Sequence, residues 1–289
     1  MKNFIKKLKI RFFWLTLERF PSLFRPSSKP YISGDTFRKY SDHIFDETKS
    51  LNPKFVKNKD VIFVNADLLE IYFEIIHPKI SNRYILITHN SDREISLKEI
   101  KLADDKIIKW FAQNLTDSSN ESLNFLPIGL ENLRRLKYGR KKWFKQTINK
   151  KTKYILSSFN ELTNFEERSG IAKVLENNLI EYKEFSSVSS YFNNLIDYKY
   201  IICPPGNGLD THRVWESLLL KIIPIHKINN FTLILKNNGV PGLYVENWED
   251  LNKYSREQLD DYYSNFNEDD FEKFSSNEYW IDKFSMLKR

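Results

Sequence analysis

The residues best suited to chemistry lie in one short stretch of the sequence, PPGNGLDTHRVWESLLLKIIPI, at positions 204–225. Its loop, PPGNG, stands between an apolar run at 200–203 and a pattern typical of a helix over 209–220. Glycines in such a loop allow the backbone to approach a ligand closely, and the N-terminus of the following helix attracts anions. The loop lacks the third glycine of a dinucleotide fingerprint and the G-K-[ST] of a P-loop, so it predicts an anion site of another kind.

The polar face of this helix carries the charged groups. A rotation of about 100° per residue places Asp210, Arg213 and Glu216 opposite the apolar side chains. An arginine in the first turn can hold a phosphate through two hydrogen bonds, which a lysine cannot do. Glu216 can accept hydrogen bonds from two hydroxyls of a ribose or a sugar. An ordinary solvated helix face is the alternative. The predicted binding residues here are Gly206, Asn207, Gly208, Asp210, Thr211, His212, Arg213 and Glu216.

The same stretch resembles the nucleotide-sugar segment of exostosin-like glycosyltransferases, in which a Gly-rich loop, Asp-x-x-Arg and Trp/Phe-Glu-x-Leu precede I-P-[VI]. The similarity is greatest to bacterial members and the ribitol xylosyltransferase-like branch. It extends to ISGDTFRKYSDHIFDE (32–47), YILITHNSD (84–92) and YILSSFNELTNFEERSG (154–170). Lys221 departs from the pattern, because the family commonly has glycine there. The resemblance implies a GT-B architecture, two Rossmann-like domains facing across a cleft. It also implies sugar transfer from a nucleotide-diphosphate donor, usually with inversion.

The elements that must position these residues alternate between strands and helices. Apolar runs predict strands at 60–64, 84–88, 107–111, 154–158, 200–203 and 222–225, and helices at 68–76, 163–178 and 209–220. Short strands alternating with helices predict an α/β fold of parallel sheets in two domains. We expect an acceptor-side domain at 1–148, a nucleotide-sugar-binding domain at 149–270, and a segment at 271–289 that packs back across both.

Inverting transfer needs a base to take the proton of the acceptor hydroxyl. The catalytic candidates are Asp35, in SGDT, and His89 and Asp92, in the HNSD turn after YILIT. A helix N-cap is the alternative for Asp35, and a polar loop for the other two. After the first strand of the second half, further residues are candidates for binding the donor, with a helix cap and a surface salt bridge as the alternative. They are Ser158, Asn160, Asn164 and Arg168.

Composition narrows the classes of function. The chain has 289 residues, of which 41% are hydrophobic, enough for a sizeable core, and no apolar run is long enough to cross a membrane. A single cysteine, Cys203, excludes a disulfide framework, and five scattered histidines argue against a zinc site. Because no D-x-D occurs either, we expect no metal and no cofactor apart from the nucleotide-sugar co-substrate. The leaving diphosphate would then be stabilised by helix N–H groups and basic side chains.

The net charge of +7 is unevenly spread, with acid-free basic stretches at 1–17 and 134–153. Residues 1–20 predict a basic amphipathic segment on an anionic membrane surface, or a helix packed on its own domain. We expect a glycan or lipid-linked acceptor and no nucleic acid. Because no signal peptide is recognisable, we expect a cytoplasmic enzyme of surface-polysaccharide biosynthesis, peripheral on the inner membrane.

Two other classes of function remain to be weighed against a glycosyltransferase. A non-enzymatic polyanion-binding module would account for the basic stretches, but it leaves the G-N-G-x-D-x-x-R-x-x-E arrangement unexplained. A phosphotransferase is disfavoured because the P-loop and kinase signatures are missing.

Overall fold

The computed structural model describes residues 24–146 and 150–288, and shows an α/β protein with two parallel sheets of five strands each. The first sheet has the order β1-β2-β3-β4-β5. Its strands are β1 (His43–Phe45), β2 (Val61–Asn65), β3 (Tyr84–His89), β4 (Ile107–Ala112) and β5 (Leu123–Phe125). The prediction of an α/β fold with parallel sheets is confirmed, while the predicted segment at 1–20 lies outside the described residues.

The second sheet has the order β10-β9-β8-β6-β7, again with parallel neighbours. Its strands are β6 (Lys153–Ser157), β7 (Ile180–Tyr182), β8 (Tyr198–Ile202), β9 (Ile223–Lys227) and β10 (Leu243–Val245). The sequence predicts the six inner strands of the two sheets. It misses the four edge strands, because a strand of three residues is too short to carry a recognisable pattern.

Short helices connect and cover the strands. The α-helices are α1 (Gly34–Tyr40), α2 (Leu69–Ile71), α3 (Leu97–Ile100), α4 (Phe165–Arg168), α5 (Ile171–Val174), α6 (Val188–Leu195), α7 (His212–Leu219), α8 (Asn230–Asn237), α9 (Arg256–Ser264), α10 (Glu268–Ser275) and α11 (Asn277–Ser285). The 3₁₀ turns are Pro53–Phe55, Ala66–Leu68, His77–Lys79, Leu133–Arg135, Lys141–Phe144, Glu161–Thr163, Trp248–Lys253 and Met286–Lys288, and Tyr72–Ile76 is a π turn. The helix predicted over 163–178 is divided into α4 and α5, and the one over 68–76 into α2 and the π turn. None of the helices in the described ranges is long and apolar enough to span a membrane.

Helix α7 ends where the resemblance leads us to expect glycine. Lys221 has a φ of +55°, in the left-handed region. Its N–H donates to the Leu218 carbonyl at 3.0 Å, and the Ile222 N–H donates to the Ser217 carbonyl at 2.9 Å, which is the Schellman pattern. The Tyr263 hydroxyl donates to the Lys221 carbonyl at 2.7 Å, so a tertiary contact holds this unfavourable residue in place.

The C-terminal helices contact both halves of the chain. In α11, the Trp280 ring lies 5.6 Å from Phe125 of β5 and 6.0 Å from Trp215 of α7. The Phe284 ring lies 5.8 Å from Phe111 of β4. These buried aromatic contacts tie the first sheet to the helix that follows β8, so the elements around the loop at 204–211 are fixed from both sides.

Candidate functional site

The strand order of the second sheet places an opening beside α7. From β6 the chain proceeds to β7 on one side, whereas β8 lies on the other side of β6. The loops that follow β6 and β8 therefore diverge at the carboxyl edge of the sheet. In open α/β sheets this reversal of strand order is where ligands bind.

A cleft of about 990 Å³ occupies this position. Its lining comes from the loop after β6, the residues around β7 and α6, the first turns of α7, and the segment that joins the halves. The lining residues are Glu131, Tyr138, Ser157, Ser158, Phe159, Asn160, Glu161, Leu162, Thr163, Arg168, Ala172, Tyr182, Lys183, Glu184, Phe185, Ser187, Tyr191, Thr211, His212, Arg213 and Glu216. The volume is at the upper end of the range for small-molecule sites.

Three polar atoms in this lining are buried without a partner in good hydrogen-bond geometry among the described residues. They are the Tyr191 hydroxyl, Thr211 Oγ1 and Arg213 Nε, although the Tyr191 hydroxyl and the Arg213 side chain are close enough to interact. Thr211 is the N-cap residue of α7, yet its side chain makes no capping hydrogen bond. The N–H groups of the first turn therefore have no side-chain cap. Buried polar groups are normally satisfied, so this cluster is suited to a polar ligand.

Burial shifts the pKa values of two ionisable side chains at the cleft, Glu216 and Arg168. Glu216 is 4% exposed, and burial raises the pKa of its carboxyl to about 7, with nearby Arg213 opposing the rise. Burial lowers the pKa of Arg168 to about 10, and the positive charge of Arg213 adds to that effect. Two arginines therefore lie close together at the carboxyl edge of the second sheet, where they favour an anion.

The sequence predicts donor binding by Ser158, Asn160, Asn164 and Arg168, and the structure gives several of them structural roles as well. The Arg168 guanidinium is buried and donates to the carbonyls of Pro205 at 2.7 Å and Asn160 at 2.9 Å. The alternative of a surface salt bridge is thus wrong for Arg168. The alternative of a helix cap does hold for Asn164, which accepts from the Glu167 N–H. Asn160 likewise accepts from a backbone N–H in its turn, while both Asn160 and Ser158 line the cleft.

The glycine loop packs against protein groups. Gly206 receives a hydrogen bond from the Asn164 side chain to its carbonyl at 2.8 Å, and Gly208 lies against Asn114 and Asp92 of the first half. Asn207 is exposed. None of the three loop residues 206–208 is part of the described cleft lining. Gly206 nevertheless lies against Arg168 and Thr211, which do line the cleft, so contact between this loop and a ligand stays a prediction.

Asp210 is also a structural residue. It precedes α7 and is 2% exposed, and burial raises the pKa of its carboxyl to about 7. Its Oδ2 accepts from the Ile128 N–H at 2.7 Å, and its Oδ1 accepts from Trp215 Nε1 at 2.8 Å. Both oxygens are occupied, so Asp210 links the two halves of the chain, and the expectation that it binds a donor is corrected.

His212 joins the cleft to the first half. Its Nδ1–H donates to the Gly129 carbonyl at 2.7 Å, which fixes the ring and leaves Nε2 without a proton. Burial lowers the pKa of His212, so the neutral ring is favoured. Because His212 also lines the cleft, it can accept a hydrogen bond there.

Asp35 lies inside the first half, away from the cleft lining. Its side chain has no exposed surface. Its Oδ1 accepts from Arg25 at 2.9 Å and from Asn90 at 3.3 Å, and Oδ2 faces Arg134 at 3.8 Å. Ser33, and not Asp35, caps α1. The prediction that Asp35 is the base is corrected, because a buried, ion-paired carboxylate cannot reach an acceptor hydroxyl.

The HNSD turn divides into a buried and an exposed residue. His89 is 1% exposed, and burial lowers the pKa of its imidazole to about 4. Its Nε2–H donates to the Pro127 carbonyl at 3.0 Å, and its Nδ1 accepts from the Asn90 N–H at 2.7 Å. Because both ring nitrogens are hydrogen-bonded, the prediction that His89 is catalytic is corrected: His89 is a structural residue. Asp92 is exposed and lies beside Gly208, outside the cleft lining.

Some lining residues were missed by the sequence analysis. Tyr191 lies on α6, and Phe185 and Tyr182 belong to the β7 region. Their aromatic types carry no signal of function, because such residues are usually part of the core. Glu131 lies just before the basic stretch at 134–153 and Tyr138 lies within it, and only the lysines and arginines of that stretch suggest a function.

Comparisons with known proteins add no family assignment. No protein-family model matches the chain, and no curated protein matches it significantly. Within the described ranges, no group of three or more His, Cys, Asp or Glu side chains is arranged to hold a metal ion. The functional argument therefore depends on the cleft itself.

Proposed function

We propose that this chain is a GT-B glycosyltransferase that moves a sugar from a nucleoside-diphosphate donor to a glycan or lipid-linked acceptor. The observation that carries the proposal is the uncapped N-terminus of α7 at the strand-order reversal, beside three unpaired buried polar atoms. Helix N-termini and arginine side chains are the groups that bind diphosphates. The resemblance of residues 204–225 to nucleotide-sugar segments supports the same assignment.

In this proposal the donor lies in the cleft with its diphosphate toward α7. Its diphosphate lies at the first turn of α7, where Arg213 and the N–H groups at the helix N-terminus, which no side chain caps, stabilise the charge that develops on the leaving group. Glu216 accepts hydrogen bonds from the ribose hydroxyls. The base then extends toward the loops after β6 and β7, where Phe159, Tyr182 and Phe185 provide aromatic surface. In this proposal the protein's own cations perform the role that a metal ion has in other transferases.

The acceptor approaches from the first half of the chain. Tyr138 links the cleft to the basic stretch at 134–145, which suits an acceptor that carries negative charge. The transfer is inverting: the acceptor oxygen attacks the anomeric carbon from the side opposite the diphosphate, while a protein base takes the hydroxyl proton.

A screen of nucleotide sugars in the presence of a chelator tests the proposal. At 100 times its Kd, a ligand should raise the free energy of unfolding by about 2.7 kcal/mol. We expect a uridine or guanosine diphosphate sugar to stabilise the protein and to release its nucleoside diphosphate slowly. If only heparin or nucleic acid stabilises the protein, the polyanion-binding module is correct. If nucleotide binding disappears with the chelator, the proposal of a metal-independent site is wrong.

A further inference from the structure

We propose that Glu131 is the base that takes the proton of the acceptor hydroxyl, an assignment that rests on the proposed function. In an inverting reaction the base lies across the sugar from the diphosphate. Because the diphosphate is assigned to α7, the base must come from the first half of the chain. Among the described lining residues, Glu131 and Tyr138 are the ones that belong to that half.

Of these two, Glu131 has the appropriate chemistry. Burial raises the pKa of the Tyr138 hydroxyl, and Glu216 and Glu131 raise it further, so this phenol holds its proton at neutral pH. Glu131 is a carboxylate with one oxygen engaged and one available. Its Oε2 accepts from the backbone N–H of Tyr138 at 2.8 Å, whereas Oε1 has no hydrogen-bond partner among the described residues.

The backbone holds this carboxylate in place. A Cβ atom at Gly139 would lie 1.8 Å from the Glu131 carbonyl oxygen, so the turn between the two residues depends on glycine for close approach. On the other side of Glu131, Leu130 donates to the Ile32 carbonyl and Gly129 accepts from His212. The backbone that leads into Glu131 is therefore bonded to both halves, and the side chain is held by the Tyr138 N–H, as positioning of a base requires.

Glu131 shares the cleft lining with His212 and Glu216 and acts on their charges. Burial has the largest effect on the pKa values of His212 and Glu216, and the negative charge of Glu131 raises both of them. Glu131 therefore faces the same cleft as these two groups. Asp92 also raises the pKa of His212, but it is exposed and outside the described lining. The other acidic lining residues belong to the second half of the chain: Glu216 is assigned to the donor, and Glu161 and Glu184 are exposed.

The proton and electron balance of the step is simple. The acceptor oxygen forms a bond to the anomeric carbon as its proton passes to Glu131 Oε1. The bond from that carbon to the diphosphate oxygen breaks, and its electron pair leaves with the nucleoside diphosphate, held by Arg213 and the α7 N-terminus. The protonated Glu131 then returns its proton to water.

The test compares Glu131→Gln with the wild-type chain, using uridine and guanosine diphosphate sugars in chelator. The amide oxygen of Gln still accepts from the Tyr138 N–H, so we expect an intact fold. We expect nucleoside diphosphate release to fall by about 10²–10⁴-fold, with unchanged affinity for the free nucleoside diphosphate. Glu131→Asp should recover part of the rate. Glu121→Gln is the matched control, because Glu121 is exposed on the first half and its side chain makes no ion pair within the described ranges.

The outcomes separate the two proposals. If wild-type protein turns over a nucleotide sugar and Glu131→Gln matches it, Glu131 is not the base while the proposed function stands. If affinity for the nucleoside diphosphate falls together with the rate, Glu131 is a donor-binding residue and the assignment is again overturned. If the wild-type chain turns over no nucleotide sugar, the proposed function and this assignment are both overturned.

Discussion

The carboxyl edges of the two sheets differ in where their buried polar atoms without a hydrogen bond lie. At the first edge, Asp35 Oδ2 and Arg134 Nε make no hydrogen bond within the described ranges but face each other at 3.8 Å as an ion pair, whereas those at the second edge line an open cleft. Also at the first edge, the side chains of His89 and Gln113 accept from the Asn90 backbone N–H, His89 also donates to the Pro127 carbonyl, and Asp35 is paired with arginine. At the second edge, Arg213 and Tyr191 keep polar atoms that are buried and unpaired in the described part of the chain. The first edge is a joint between the halves, and the second is arranged for a ligand.

The comparison shows what a strand end does and does not reveal. A polar residue after a parallel strand lies at the edge where ligands bind, and this rule pointed equally to His89 and to the loop before α7. Whether such a residue is free depends on its partners. The Nε2–H of His89 is taken up by the Pro127 carbonyl, which is 38 residues away in sequence. This hydrogen bond could not be predicted from the residues next to His89.

The largest effect expected on folding comes from breaking the joint at Asp210. Asp210→Ala leaves two buried donors unpaired, the Ile128 N–H and Trp215 Nε1, and should lower the free energy of unfolding by about 2–5 kcal/mol. Arg213→Ala removes a side chain whose Nε has no hydrogen-bond partner among the described residues, so at about pH 5, where Glu216 is protonated, it should cost less than about 1 kcal/mol. Urea denaturation of both variants checks the contrast. Equal losses of unfolding free energy in the two variants would contradict the conclusion that Asp210 joins the two halves of the chain whereas Arg213 belongs to a ligand site.

The second prediction concerns the buried carboxyl of Glu216 and its effect on how the free energy of unfolding depends on pH. The Glu216 pKa is near 7 in the folded chain and 4.5 in its ordinary state, so the folded chain binds this proton more tightly. The stabilisation from that proton is complete below about pH 4.5 and is lost as the pH rises to about 7. Glu216→Gln has no ionisable group at this position, so its stability does not fall in this way as the pH rises. Without ligand, it should be roughly 3 kcal/mol more stable than the wild type at pH 8, and equal to it near pH 4.

Thermal or urea unfolding across this pH range, with Glu121→Gln as the control, measures the effect. The same Glu216→Gln variant should bind a nucleoside diphosphate more weakly, because it loses an acceptor for the ribose hydroxyls. A variant whose stability follows the wild-type pH dependence would show that Glu216 is not a strained carboxylate at the cleft.

Much of the fold could be predicted from the sequence, and less of the site. Fully buried strands such as β2 and β3 are continuous apolar runs, which is a signal that needs no partner. Arg213, Glu216 and Thr211 were predicted because the loop and the helix that present them are contiguous in sequence. Glu131 and Tyr191 were not, since they reach the cleft only through the packing of the joining segment and α6. Lys221 shows the reverse case, in which a tertiary contact lets lysine occupy a position suited to glycine.

Titration calorimetry of uridine and guanosine diphosphates in chelator, with wild-type protein and Arg213→Ala, tests the central claim most directly. If the first turn of α7, at the carboxyl edge of the second sheet, is the diphosphate site, the wild type binds one of the two nucleotides without metal. Arg213→Ala should then lose about 2–5 kcal/mol of binding while remaining folded, and Arg213→Lys should recover only part, because an ammonium lacks the planar fork. Unchanged affinity in folded Arg213→Ala would contradict the assignment of the diphosphate to α7.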